Sequence, residues 1–162
     1  MLACSRLRQR TDCRARHGAH MQNPHGGAPK QSPGVCNSGV EDTCWSPSGT
    51  FVREKILACF PDTFSKGKLS TYKTSADSSS THAANAIDAF PGGSGVCVSG
   101  AQKANGDALA SWVRDNADAL NVRYVIWQDR IWSTARASEG WRRQNNNGCT
   151  KAHYDHIHIS VN

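Results

Sequence analysis

From His156 to the end, the chain alternates polar and apolar side chains: His156, Ile157, His158, Ile159, Ser160, Val161. A period of two marks a β-strand whose two faces meet different surroundings. The pattern predicts a closing, half-buried strand. One face is β-branched and apolar, and the other presents His156 and His158 side by side. Upstream the period changes. Phe51, Val52, Ile56, Leu57 and Phe60 fall at helical spacing, which predicts a short amphipathic helix over 51–60, stopped by Pro61. A second helix is predicted over 105–120, capped by Asn105, with Asp107 near its positive end. Its apolar face is Leu109, Trp112, Val113, Ala117 and Leu120. Strands are predicted over 68–74, 86–90 and 122–127, with Arg130–Trp132 returning beside the last across a Gln128-Asp129 turn. A polar loop is expected over 75–80 and a long one over 133–152. Residues 1–50, rich in Gly, Pro, Ser, Asn and Arg, read as a disordered or loosely stapled lead-in. The partial segregation of helices and strands implies an α+β fold, a small antiparallel sheet with helices on one side.

Length, charge and cysteine content narrow this picture. A chain of 162 residues fits one domain, here over 51–162, with a core large enough to stand without staples. The net charge of +6 invites a nucleic-acid reading. Its distribution argues against one for the folded part. Arg6, Arg8, Arg10, Arg14, Arg16 and Lys30, against Asp12 alone, place most of the excess before residue 31. No apolar stretch is long enough to span a membrane, and a monomer is expected. The first 20 residues have no apolar core of the signal-peptide kind, so the signal is lost or misannotated, export takes another route, or Met21 is the start. The seven cysteines (Cys4, Cys13, Cys36, Cys44, Cys59, Cys97 and Cys149) contain no Cys-x-x-Cys pair. Wide, irregular spacing fits disulfides in an oxidising, extracellular setting rather than a zinc ribbon, and leaves the pairing open.

The candidate chemistry begins at His153-Tyr-Asp-His-Ile-His158, three histidines within six positions. Two imidazoles two residues apart on one strand face are placed to share a metal and its bound water. A catalytic zinc needs a third protein ligand and one open position. Ser80-Thr-His-Ala-Ala-Asn-Ala-Ile-Asp88 supplies His82 and Asp88, which with His158 make a His-Asp-His set.

Taken together, Ser-x-His and Ala-x-Asp over 80–88 and Asp-His-x-His over 155–158 resemble the LAS metallopeptidases, the group of lysostaphin, D-Ala-D-Ala peptidases and Hedgehog-type folds. The segment Tyr124–Ser133, then Gly140-Trp141-Arg142, then His153–His158, is similar in order to small secreted D-alanyl-D-alanine carboxypeptidase-like domains. The resemblance covers roughly 51–162. It implies a Hedgehog/DD-peptidase-like fold, Zn2+ held by His82, Asp88 and His158, and His156 as the catalytic group facing the metal-bound water. It further implies hydrolysis of peptide bonds in bacterial peptidoglycan. His153 and Asp155 are expected to orient a ligand imidazole. Tyr154, Trp127, Trp132 and Arg142 are expected along the substrate cleft, with either Arg142 or Arg143 meeting a substrate carboxylate or else both standing as solvated loop arginines. One departure stands out. Five residues separate His82 from Asp88 where that group has six, and Thr81 replaces an arginine. It supports an alternative expectation, a secreted metal-containing module that binds wall without cutting it.

Overall fold

The computed structural model describes residues 47–70 and 85–162. The strand residues expected over 71–74, the loop over 75–80, His82, Cys36, Cys44 and the lead-in before residue 47 lie outside the described residues.

Helix α1 (Pro47–Cys59) starts four residues before the predicted 51, inside the expected lead-in. Proline is favoured at a helix's first position, where its missing N–H satisfies nothing anyway. Val52 and Ile56 form the buried stripe. A 3-10 turn (Lys66–Lys68) leads into strand β1 (Leu69–Ser70), and β2 (Ala86–Ala89) follows. Helix α2 runs from Gly100 to Asp115, five residues earlier than predicted, with Ser99 as its N-cap. Its first turn is mostly exposed and carries no apolar stripe, so periodicity does not reveal it. Gly106 looks like a poor interior residue, but it faces Trp127. A Cβ there would lie 2.2 Å from the indole. The glycine is a close-approach position within the helix, and Asn105 is not its cap. Asn116 ends the helix, its side-chain amide donating to the Trp112 carbonyl at 2.8 Å.

Strands β3 (Val122–Trp127) and β4 (Arg130–Ser133) form the expected hairpin. Its turn residues Gln128 and Asp129 both have positive φ, 52° and 56°, the type I′ pattern that matches strand twist. The long loop expected over 133–152 contains more order than predicted, a 3-10 segment (Thr134–Glu139) and a short strand β5 (Arg142–Arg143). Strand β6 (Ile157–Val161) closes the chain.

Among the described residues the sheet has six strands in the order β1-β2-β6-β3-β4-β5, every neighbouring pair antiparallel. With its flanking helices this is α+β. The last strand in sequence sits in the interior of the sheet, between β2 and β3. One face is the apolar core: Ile87, Val125, Ile157 and Ile159 pack with Val52, Ile56, Leu109 and Val113, all fully buried. Strand β6 is buried on both faces rather than half-buried, because loops cover the polar face too.

The Cys97–Cys149 disulfide ties the segment before α2 to the turn before β6 across 52 residues of sequence. Cys59 is disulfide-bonded as well. No helix among the described residues is long and apolar enough to cross a membrane.

Candidate metal centre

Strand pairing lines up one residue from each strand across the whole sheet: Ser70, Asp88, His158, Ile126, Ile131 and Arg142. Residues that sit directly opposite in paired strands share a face. The carboxylate and the imidazole that the sequence separates by 70 positions are therefore neighbours because Asp88 pairs with His158. The adjacent row on the same face is Ala86, Ser160, Tyr124 and Ser133. Tyr124 reaches this face through a β-bulge. The β3–β6 register shifts between Val122 and Tyr124, so Val122 points into the core while Tyr124, two residues on, points the other way.

The polar atoms converge closely. His158 Nδ1 donates to Asp88 Oδ1 at 2.8 Å, and His156 Nε2 lies 3.7 Å from the same oxygen. Tetrahedral zinc with bonds of about 2.0–2.1 Å sets its ligand atoms about 3.3 Å apart. The His158–Asp88 separation, 2.8 Å, falls a little short of that value, and His156 Nε2, 3.7 Å from the same oxygen, stands beside the pair. One ion could replace the hydrogen bond, with release of the Nδ1 proton. Nitrogen and carboxylate donors at this burial, 3% for both histidines and 5% for Asp88, are a chemically suitable set for zinc. Around them, Tyr124 stacks on His158 with centroids 5.6 Å apart, and Phe90 lies 5.2 Å from His156.

Asp155 fixes the orientation of His156. Its Oδ1 accepts from His156 Nδ1 at 2.7 Å, while Oδ2 accepts from the Gly95 backbone N–H at 2.7 Å and the Thr150 hydroxyl at 3.0 Å. Burial pushes the Asp155 carboxyl upward, but the bonds from His156 and Gly95 outweigh this and hold it below the usual carboxylate range. An ionised carboxylate only accepts, so the ring nitrogen beside Asp155, Nδ1, carries a proton, and Nε2 is the nitrogen that faces the site.

His153 enters from a tight turn in a left-handed conformation, φ 55°. Three backbone bonds shape the turn: Ala152 N–H to Gly148 O, His153 N–H to Thr150 O and Tyr154 N–H to Cys149 O. The β3–β4 turn clamps it from outside. Gln128 N–H donates to His153 O and Asp129 N–H to Ala152 O, at 3.1 and 2.7 Å. The His153 ring stands 4.6 Å from His156 and 5.8 Å from His158. Burial, together with His156 and His158, pushes its pKa down to about 4. It is therefore a neutral imidazole near pH 7, with Nδ1 toward the Lys151 carbonyl. One nitrogen from each of His153, His156 and His158 lies within 4.8 Å of the others, enough to hold an ion as a trio.

The structure thus brings together Asp88, His153, Asp155, His156 and His158. His82 lies outside the described residues. Arg142 shares the face, three strands from His158. Tyr154 anchors the segment through its backbone, its carbonyl accepting from Val98 N–H at 2.9 Å. Trp127 and Trp132 are not brought to the histidines. Both belong to the core on the opposite face, and the Trp127 indole N–H donates to Asp107 of α2 at 2.9 Å. Sequence reasoning missed Tyr124, Phe90 and the clamp through Asp129. Only the bulge puts Tyr124 on this face, and no local pattern signals it.

The family described as the VldE C-terminal domain matches residues 41–155, more than two thirds of the chain. No curated protein and no solved structure matches the chain significantly.

Proposed function

The chain belongs to the VldE C-terminal domain family, and we propose that it is a secreted zinc-dependent hydrolase that cleaves peptide bonds of bacterial cell-wall peptidoglycan. The observation that carries this reading is the convergence of Asp88 Oδ1, His158 Nδ1 and His156 Nε2, with His156 held by the buried Asp155. The likeness of its motifs to LAS metallopeptidases supplies the substrate class. The disulfide fits an extracellular setting.

Asp88 and His158 would hold the ion, completed by His82. Zinc in such a set supplies polarisation of a peptide carbonyl and a water pKa lowered towards about 7. The protein's own work lies in its proton carrier. His156 Nε2 takes a proton, and Asp155, bonded to Nδ1, stabilises the imidazolium and keeps the ring aimed. Tyr124, stacked on His158, limits the ligand ring's movement.

The test is to incubate the zinc-loaded protein with peptidoglycan and count new amino termini. Release should stop with chelator and return with zinc. Asp88→Ala and His158→Ala should lose zinc. His156→Ala should keep it and lose about 100-fold or more in rate. A zinc-replete sample that releases no termini overturns the reading.

A second reading is favoured by the three imidazoles. Here His153, His156 and His158 are the ligands, and the domain holds metal and binds wall without turnover. In that case His156→Ala and His153→Ala each cost zinc, and the native protein binds peptidoglycan without cutting it.

A further inference from the structure

The polar turn before the histidines contains a chemically reactive backbone step, Asn147-Gly148, followed at once by Cys149 and the turn that carries His153. The side-chain amide of an asparagine can be attacked by the backbone nitrogen of the next residue. Glycine is the most permissive partner, because no Cβ obstructs the approach and its backbone turns freely. Both residues are exposed and lie outside any helix or strand. The Gly148 N–H donates to no acceptor among the described residues, so its nitrogen is uncommitted. A second Asn-Gly step supplies the contrast. At Asn105-Gly106 the attacking nitrogen lies inside α2, where helix geometry fixes its N–H on the carbonyl four residues back. Gly106 is also buried against Trp127. Asn145 is restrained as well, since the next N–H, that of Asn146, donates to Asp129 Oδ1 at 2.8 Å.

We propose that Asn147 is a modification site: it deamidates spontaneously, and the isoaspartyl product loosens the turn that holds Thr150 and His153. The Gly148 nitrogen, giving up its proton, bonds to Asn147 Cγ, and the side-chain amide nitrogen leaves as ammonia. Water then opens the cyclic imide. Opening at Cγ gives aspartate. Opening at the former main-chain carbonyl gives isoaspartate, in which the backbone runs through Cβ and Cγ. Water is consumed and ammonia released, with no oxidant or reductant. The isoaspartyl form inserts a methylene, about 1.5 Å of extra chain, between two anchored points. On one side Asp129 accepts from Gln144 N–H through its carbonyl, at 3.0 Å, and from Asn146 N–H through its carboxylate. On the other, Gly148 O accepts from Ala152 N–H at 3.0 Å, and Cys149 is tied to Cys97. Lengthening the link at Asn147 displaces the turn, and with it Thr150, whose hydroxyl donates to Asp155 at 3.0 Å, and the left-handed His153. The proposal is independent of what the histidines bind or catalyse.

Ageing the full chain in mildly alkaline buffer made with heavy-oxygen water tests this. After reduction and thiol capping, trypsin cuts beyond Lys103 and Arg114 and beyond Arg143 and Lys151, which puts the two Asn-Gly steps in separate peptides. Fragment masses should show heavy oxygen entering at Asn147 at least about 10-fold faster than at Asn105, whose reaction waits on opening of the helix. Isoaspartate should exceed aspartate at Asn147. The amides of Ala152, His153 and Tyr154, all bonded within the turn, should exchange hydrogen at least about 10-fold faster in the isoaspartyl form than in unaged protein. Asn147→Gln, whose longer side chain disfavours the ring, should show neither change on ageing. Unaged Asn147→Asp, which adds the charge without lengthening the backbone, should exchange like the native chain. A rate at Asn147 no faster than at Asn105 overturns the proposal. So does isoaspartate formation with unaltered exchange, faster exchange in aged Asn147→Gln, or fast exchange in unaged Asn147→Asp.

Discussion

His153 shows what surroundings do to one side chain. Its ring is pressed among two other imidazoles, and burial with those neighbours holds it near 4 where an exposed histidine titrates at 6.5. In the unfolded chain it takes up a proton near 6.5. Between those values the unfolded state binds more protons, so stability falls as pH falls from about 6.5 to about 4. The contribution of neutral His153 is fully present above that window. Urea unfolding of the metal-free protein at pH 7 and pH 4.5 should therefore give a lower midpoint at the acid end. His153→Gln should flatten the drop, and an undiminished drop in the variant would argue against this origin. The three histidines were legible in the sequence as chemistry. Their division of labour was not, since His153 is drawn in by a left-handed backbone position that the β3–β4 turn clamps.

At the scale of elements, α2 and β3 fit by a single missing side chain. Replacing Gly106 by alanine gains up to about 1 kcal/mol of helix propensity. The added Cβ, however, would sit 2.2 Å from one Trp127 ring carbon and 2.6 Å from the next. The ring cannot simply swing away, because its N–H is bonded to Asp107 and its body is buried. Overpacking of this kind costs about 1–3 kcal/mol or more and outweighs the propensity gain. Gly106→Ala should lower the urea midpoint, with a weakened Trp127 fluorescence signature, and an unchanged or raised midpoint would refute the close approach. The helices and strands themselves were mostly legible from periodicity. The start of α2 was not, because the residues before Gly106 are mostly exposed and carry no apolar periodicity. Strand β5 was also hidden, since two arginines in a polar loop carry no strand pattern.

The whole molecule is held at the candidate metal centre by connections between distant segments. The disulfide joins Cys97 to Cys149, and alongside it Gly95 N–H reaches Asp155 and Val98 N–H reaches Tyr154 O. Closing a loop of 52 residues removes unfolded-state entropy worth about 4 kcal/mol. The double variant Cys97→Ser with Cys149→Ser should lose stability on that scale in chemical unfolding. It should also bind zinc more weakly, because the 148–153 turn and Asp155 lose their anchor. Equal stability and equal affinity would count against a shared role. The alternating pattern of β6, its apolar face and its histidines follow from the sequence alone, because side chains on a strand alternate whatever the neighbours are. That Asp88 stands opposite His158, that a bulge turns Tyr124 to the same face and that Arg142 completes the row were decided only by the tertiary structure. Register between strands far apart in sequence is chosen by how the whole sheet buries its apolar face against the helices, and no local stretch of chain contains that choice.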